Sequence, residues 1–72
     1  MKEKRRITFT GKNLNDIFKL EPVYKIMKVA GVLKVFLRSE MLLMLSPSVV
    51  AIPGDTLVEY DNGLWEIEHV KH

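Results

Sequence analysis

The sequence predicts an α+β fold in which one short N-terminal helix packs on an antiparallel β-meander of about five strands. Three observations support this prediction. An apolar stripe at helical spacing lies near the N-terminus, several later segments alternate apolar and polar residues, and turn signals separate those segments. A chain of 72 residues is the size of one domain. We therefore expect a basic N-terminal arm, residues 1–6, followed by a single α+β domain, residues 7–70.

The segment after the arm predicts a short strand and then the helix. Residues 7–10 alternate apolar side chains with threonine, which is typical of a strand with one buried face. Asn13 is a favourable N-cap residue, and Pro22 ends the helix because the residue before a proline disfavours helical backbone. The apolar stripe between them consists of Leu14, Ile17 and Phe18. A helix of about two turns is not stable alone, so it has to dock on the sheet.

The middle of the chain predicts two strands, residues 23–30 and 32–38, joined by a turn at Gly31. Residues 40–45 allow two interpretations. Methionine and leucine favour a helix, but a proline and a β-branched segment, residues 49–52, follow closely. We therefore favour a strand for residues 40–45, which continues the pattern of residues 32–38, and Pro-Gly-Asp after residues 49–52 signals a turn.

A hairpin closes the predicted sheet. Asn62 and Gly63 are the preferred pair for a type I′ turn, because both central positions need a positive φ. The predicted register places Tyr60, Val58, Trp65 and Ile67 on one apolar face. A three-residue loop would set Val58 against Glu66 and mix the faces, so the pattern favours the two-residue loop. Its cost is Glu59 opposite Glu66, a pair of like charges.

The net charge of +2 hides a difference between the two halves of the chain. Residues 1–38 contain ten of the eleven bases and three acids, a net charge of +7. Residues 39–72 contain one base and six acids, a net charge of −5. This division indicates charged interaction surfaces, unless strands from the two halves interleave in one sheet and neutralise each other.

The residue inventory argues against an enzyme. Cysteine is absent, which excludes disulfides, thiolate metal sites and a cysteine nucleophile. The two histidines, His69 and His72, fall within the last four residues, and the sequence has no glycine-rich phosphate loop. We expect no catalytic residue, no cofactor and no metal. A carboxylate enzyme built on Glu59, Glu66 and Glu68 is the weakest alternative.

The apolar stretches of the chain are too short to cross a membrane. The longest, residues 41–45, falls far short of the about 20 residues that a spanning helix needs. The charged N-terminus is not followed by the apolar run of a signal peptide. We expect a cytoplasmic protein with no membrane contact, in agreement with the lack of disulfides.

Residues 41–45 are the first candidate for a binding surface, because they are apolar on both faces of any strand. One face can reach the core, and another chain can cover the other. Small chains without disulfides often gain stability by association. We therefore predict a non-enzymatic protein that acts by protein–protein interaction and self-associates as a homodimer. The predicted contact residues are Met41, Leu43 and Leu45.

A small nucleic-acid or nucleotide binding protein is the alternative. Lys34 and Arg38 share a strand face with Phe36, and bases interleaved with an aromatic ring suit a single-stranded nucleic acid. The same face can instead be core under the helix. The predicted contacts to nucleic acid are Lys4, Arg5, Arg6, Lys34 and Arg38.

Two segments carry a resemblance to a group of known proteins. Residues 9–13 read Phe-Thr-Gly-Lys-Asn, and residues 53–58, followed by the Gly-Leu-Trp of residues 63–65, form the closing hairpin. This order resembles small phage and prophage proteins of unknown function, over residues 7–67. The resemblance implies an accessory protein of a phage or mobile element that acts by binding, for instance by blocking a host defence factor.

Overall fold

The computed structural model describes residues 1–43 and 48–70. Within these ranges the chain forms six strands, one short α-helix and one 3-10 turn. The strands are β1 (Glu3–Thr8), β2 (Val23–Val29), β3 (Val32–Leu37), β4 (Val50–Ala51), β5 (Thr56–Tyr60) and β6 (Trp65–Glu68), and the helix α1 spans Leu14–Phe18. The strands form two antiparallel sheets, a first sheet with the order β1-β5-β6 and a second sheet with the order β2-β3-β4.

The predicted α+β class is wrong, because the described chain is mostly β and divides its strands between two three-stranded sheets. The helix has five residues, which is too few to cover a sheet face. Of its apolar stripe, Ile17 is fully buried but Phe18 is 58% exposed. The two sheets therefore cover each other, and α1 adds Ile17 to the core that they share.

The core draws on both sheets and on the segments that connect them. Its buried members are Phe9, Ile17, Leu20, Val23, Val35, Leu37, Leu42, Ala51, Leu57, Trp65 and Ile67. Strand alternation selects them: in β3, Val35 and Leu37 face the core, while Lys34 and Phe36 face away from it. The result is a two-layer β arrangement, in which each sheet buries one apolar face.

Strand β1 begins at Glu3, so residues 3–6, predicted as a basic arm, belong to the first sheet instead. Its partner is β5, with Arg6 beside Val58 and Ile7 beside Leu57. Residues 3–6 were not predicted as part of a strand, because all four are charged and show no alternation of apolar and polar side chains. Carboxylates of β5 and β6, which come from the other half of the chain, match those charges.

Residues 39–43 form neither a regular strand nor an α-helix. Ser39–Met41 make a 3-10 turn. Leu42 then makes a parallel β-bridge with Trp65, and the N–H of Leu43 donates a hydrogen bond to the carbonyl of Trp65 at 2.9 Å. This contact attaches the chain that leaves the second sheet to the edge strand of the first. Residues 44–45, the rest of the predicted strand, lie outside the described residues.

The β5–β6 hairpin has a three-residue loop, residues 61–63, so the predicted two-residue loop is wrong. A type I′ turn needs a positive φ at both central residues, but Gly63 alone has one in this loop, at +85°. The N–H of Gly63 donates to the carbonyl of Tyr60, and the N–H of Leu64 donates to Oδ1 of Asn62, each at 3.0 Å. These contacts are typical of a type I turn followed by a glycine in the left-handed region.

The longer loop shifts the register and exchanges the two faces of β5. The core face of the hairpin holds Leu57, Glu59, Trp65 and Ile67. Glu59 lies opposite Trp65 rather than opposite Glu66, so the expected like-charge pair does not form. Val58 faces outward between Arg6 and Glu66, yet it is fully buried. The register prediction failed because it counted apolar residues and assigned no partner to a carboxylate on the inner face.

The β2–β3 hairpin has its turn at Gly31, as the sequence predicts, and the structure shows that this turn has two residues. Val29 pairs with Val32, and the two residues between them both have a positive φ, +51° at Ala30 and +81° at Gly31. This is the backbone of a type I′ turn. Alanine is strained there, because its Cβ approaches the following carbonyl oxygen in the left-handed region.

Replacing Ala30 with asparagine should stabilise the protein. Asparagine tolerates the left-handed region, and Asn-Gly is a preferred type I′ pair. We expect Ala30→Asn to raise the free energy of unfolding by about 0.5–1 kcal/mol, measured as a higher urea midpoint at unchanged slope. Ala30→Val is the matched control, and its β-branched side chain should lower the midpoint. Equal midpoints for both variants would contradict the assigned turn.

Candidate binding surface

The carboxylates of the last hairpin do not gather into one site. Glu59 faces the core, whereas Glu66 and Glu68 lie on the opposite face of the first sheet. Tyr60 donates its hydroxyl to Oε1 of Glu66 at 2.8 Å, and this hydrogen bond raises the pKa of Tyr60. Across residues 1–43 and 48–70, no group of three His, Cys, Asp or Glu side chains is placed to hold a metal ion.

Asp55 is a buried carboxylate that fixes the end of the described chain to a turn. Its side chain is 1% exposed and accepts hydrogen bonds from the N–H groups of Ile52 and Val70, both at 2.9 Å. Nδ1 of His69 lies 3.1 Å from the same carboxylate. Burial acts to raise the pKa of Asp55, but these hydrogen bonds outweigh it and hold the pKa below its ordinary 3.8. Asp55 is therefore a structural clamp. Its place in the Pro-Gly-Asp sequence predicted only a turn.

Asp55 should make the protein sensitive to acid. Because the folded pKa lies below the unfolded one, the clamp stabilises the fold above about pH 4, and its contribution is lost as the pH falls through the folded pKa. We expect Asp55→Asn to lower the free energy of unfolding at neutral pH by about 1.5–3 kcal/mol and to flatten its decline in acid. Urea unfolding across the acidic range measures both effects.

Asp61→Asn, at an exposed turn position, is the matched control and should retain the acid decline of the native chain. An Asp55→Asn variant with the same decline would show that the clamp is not its source.

Arg5 is held on the inner face of the first sheet, at the edge of the core. Its Nε lies 2.7 Å from Oε1 of Glu59, and its guanidinium lies 5.4 Å from the ring centroid of Trp65. Glu59 is 8% exposed and Trp65 is fully buried. Arg5 thus neutralises a nearly buried carboxylate and covers an aromatic ring. Its guanidinium is therefore engaged by groups of the same chain rather than presented to a nucleic acid.

Arg6, the next residue of β1, points to the outer face of the same sheet. Its Nη2 lies 2.8 Å from Oε1 of Glu3 and 3.1 Å from Oε2 of Glu68. Hydrogen bonding to Arg6 lowers the pKa of Glu3, and the two carboxylates raise the pKa of Arg6. Of the three predicted nucleic-acid contacts in β1, Arg5 and Arg6 are therefore paired on opposite faces, while Lys4 is exposed.

The outer face of the β2–β3 hairpin combines exposed apolar side chains with bases. We name it the apolar–basic face and define it by the residues that the register places together: Lys25, Met27, Val29, Val32, Lys34 and Phe36. Met27, Val29 and Val32 are 38%, 37% and 41% exposed. Residues 22–38 contain four bases and no acid, so no carboxylate within the hairpin neutralises this face.

Two aromatic rings, one on this face and one next to it, are covered by bases of the same chain. Nζ of Lys25 lies 5.6 Å from the ring centroid of Phe36, and the guanidinium of Arg38 lies 5.5 Å from that of Tyr24. A cleft of about 260 Å³ adjoins the second pair and is lined by Tyr24, Leu37, Arg38, Ser39, Glu40 and Val49. The face therefore ends in a shallow cleft with an aromatic ring and a guanidinium at its edge.

The sequence pattern predicted part of this surface. It placed Lys34, Phe36 and Arg38 on one face of a strand but left open whether that face is core under the helix. Phe36 and Lys34 are half-buried on the side of β3 that faces away from the core. Met27 and Val29 were not predicted, although their alternation with Lys28 in a strand next to Gly31 was a signal that points to them.

The predicted contact segment, residues 41–45, is partly covered by its own chain. Met41 is half-buried and packs against the core, and Leu43 is half-buried beside Trp65, to whose carbonyl its N–H donates. Leu45 lies outside the described residues. Self-association through this segment stays a prediction, which sedimentation at low micromolar concentration tests with Met41→Lys and Leu43→Lys.

Comparison of the chain with protein-family models, with curated proteins and with solved structures found no match. Across the two described ranges, no helix has the length and apolar character needed to span a membrane. The cytoplasmic location and the resemblance to phage and prophage proteins stay predictions.

Proposed function

We propose that the chain is a non-enzymatic binding protein that contacts a protein partner through the apolar–basic face. One observation carries this proposal. Three apolar side chains, each more than one-third exposed, lie together on an outer sheet face whose hairpin contains three bases and no acid. Contiguous exposed apolar surface rimmed by charge is typical of protein–protein contact sites.

The charge of this face specifies the partner surface. An apolar centre formed by Met27, Val29 and Val32 with a rim of lysines complements a surface that is apolar in the middle and acidic around it. Acidic groups facing Lys25 and Lys34 would accelerate association and orient the two proteins, while burial of the apolar centre would supply most of the affinity.

Single-stranded nucleic acid is the second candidate partner for the same face. Phe36 and Tyr24 are partly exposed rings beside Lys25, Lys34 and Arg38, a combination that suits base stacking. However, Lys25 already lies over the ring of Phe36 and Arg38 over the ring of Tyr24. A stacking base would have to displace these cations, so the rings favour a protein partner.

Variants of the face should lose the partner. We expect Met27→Thr with Val32→Thr to preserve the strands, because threonine favours β structure, and to weaken binding by about tenfold or more. The measurement compares proteins retained from a source-cell lysate by the immobilised native chain and by the variant. Calorimetric titration with the purified partner then gives the affinities.

Phe18→Thr is the matched control, because it removes an apolar side chain that is 58% exposed outside the face. A partner that both variants lose equally, or neither loses, would contradict the proposal. Binding of a labelled oligothymidine at low salt, steeply weakened by added salt and abolished by Lys34→Glu, would support the nucleic-acid alternative instead.

A further inference from the structure

Strand β2 is a free edge of the second sheet. The strand order is β2-β3-β4, so among the described strands β2 has a neighbour on one side only. Five of its seven residues are exposed. In the described ranges, no backbone hydrogen bond from another segment reaches residues 24–29. A sheet edge of this length presents unpaired N–H and C=O groups that another chain can use.

The type I′ turn determines which backbone groups face outward. Val29 and Val32 flank the turn, so they exchange both of their hydrogen bonds. Alternation along the ladder then directs the backbone groups of Met27 and Lys25 toward β3 as well. The N–H and C=O groups of Ile26 and Lys28 point to the free edge.

The lysines of β2 oppose pairing of this edge with a second copy of the chain. Two β2 strands placed antiparallel would bring Lys25 and Lys28 of one copy near those of the other, and like charges across strands are destabilising. Lysines on edge strands are a common means of preventing such self-pairing. The same lysines attract an acidic strand, and the hairpin has no acid that would repel it.

We infer that the free edge of β2 accepts an extended segment of the partner protein, with alternating acidic and apolar side chains, as a fourth antiparallel strand. Main-chain hydrogen bonds to Ile26 and Lys28 supply the pairing. The apolar side chains extend the surface of Met27 and Val29, and the acidic ones lie on the opposite face, beside Lys28. This inference rests on the proposed function, since it specifies how the partner adds to the apolar–basic face.

The probe for this inference is a capped peptide of about eight residues that alternates glutamate and valine. Hydrogen exchange of the native chain is followed by NMR with and without the peptide. The amides of Ile26 and Lys28 should exchange at least several-fold more slowly in the complex, because they become hydrogen-bonded. An alternating lysine–valine peptide is the charge control and should leave them unchanged.

Two variants at one position separate the backbone bond from the charge. Lys28→Ala and Lys28→Pro both remove the ammonium, but only proline removes the N–H that faces the edge. Proline is tolerated on an edge strand where its nitrogen faces away from the ladder. We expect Lys28→Pro to bind the acidic peptide about three- to tenfold more weakly than Lys28→Ala.

Unchanged exchange of Ile26 and Lys28 in the presence of saturating peptide, or no binding of the peptide at millimolar concentration, would overturn strand addition. If the captured partner nevertheless binds the Met27→Thr, Val32→Thr variant more weakly, the partner contacts the apolar–basic face without pairing with the edge of β2. In that case only this inference fails. If the face variant keeps its partner, the proposed function itself fails.

Discussion

Trp65 is the residue on which the two sheets depend. Its side chain is fully buried, and its carbonyl accepts the N–H of Leu43, which arrives from the second sheet. Truncating a buried tryptophan to alanine costs about 3–5 kcal/mol, against a total stability of about 4–11 kcal/mol for a chain of this length. Its indole N–H has no hydrogen-bond partner among the described residues, so the packing of the ring outweighs that cost. Arg5, which covers the ring, and Glu59, which pairs with Arg5, are arranged around it.

The charge division of the sequence is resolved differently in the two sheets. In the first sheet, β1 from the basic half lies beside β5 from the acidic half, and Arg5 and Arg6 are paired with Glu59 and Glu68. The interleaving that the sequence offered as one explanation therefore occurs here. The β2–β3 hairpin pairs only with itself and with β4, so its bases meet no carboxylate of their own sheet. The second sheet therefore carries a net positive charge, which comes from that hairpin.

The positions of the turns could be predicted from the sequence, but contacts between segments distant in the chain could not. Gly31 and the Asn62-Gly63 pair correctly predicted the positions of two hairpin turns. Each turn needs a residue with a positive φ, and glycine is the residue that adopts it most readily. The register of the second hairpin places Glu59 on the inner face, where its partner is Arg5, a residue more than fifty positions away. Asn13 shows the same limit: it stands at the start of α1, but its side chain bonds back to Thr10 and the carbonyl of Thr8 instead of capping the helix.

The candidate surface was found in part for the same reason. Lys34, Phe36 and Arg38 share a strand face by simple alternation, and this the pattern predicts. Whether that face is core or surface depended on the helix, and a five-residue helix leaves it uncovered. The segment from Met41 onward looked like an interface because its apolar residues had no visible partner. Leu42 and Leu43 in fact lie along the edge of β6.

The pairing of β1 with β5 also sets an order of events during synthesis. The β2–β3 hairpin joins residues separated by a two-residue turn, and such hairpins form within about 1–10 μs. Ile7, by contrast, meets Leu57 only after the intervening chain has been made, which takes several seconds at about 5–20 residues per second. During that interval Arg5 lacks Glu59, Arg6 lacks Glu68, and the core has no Trp65. The β2–β3 hairpin can therefore form before β1 pairs with β5, and the first sheet is completed only when β5 and β6 have been made.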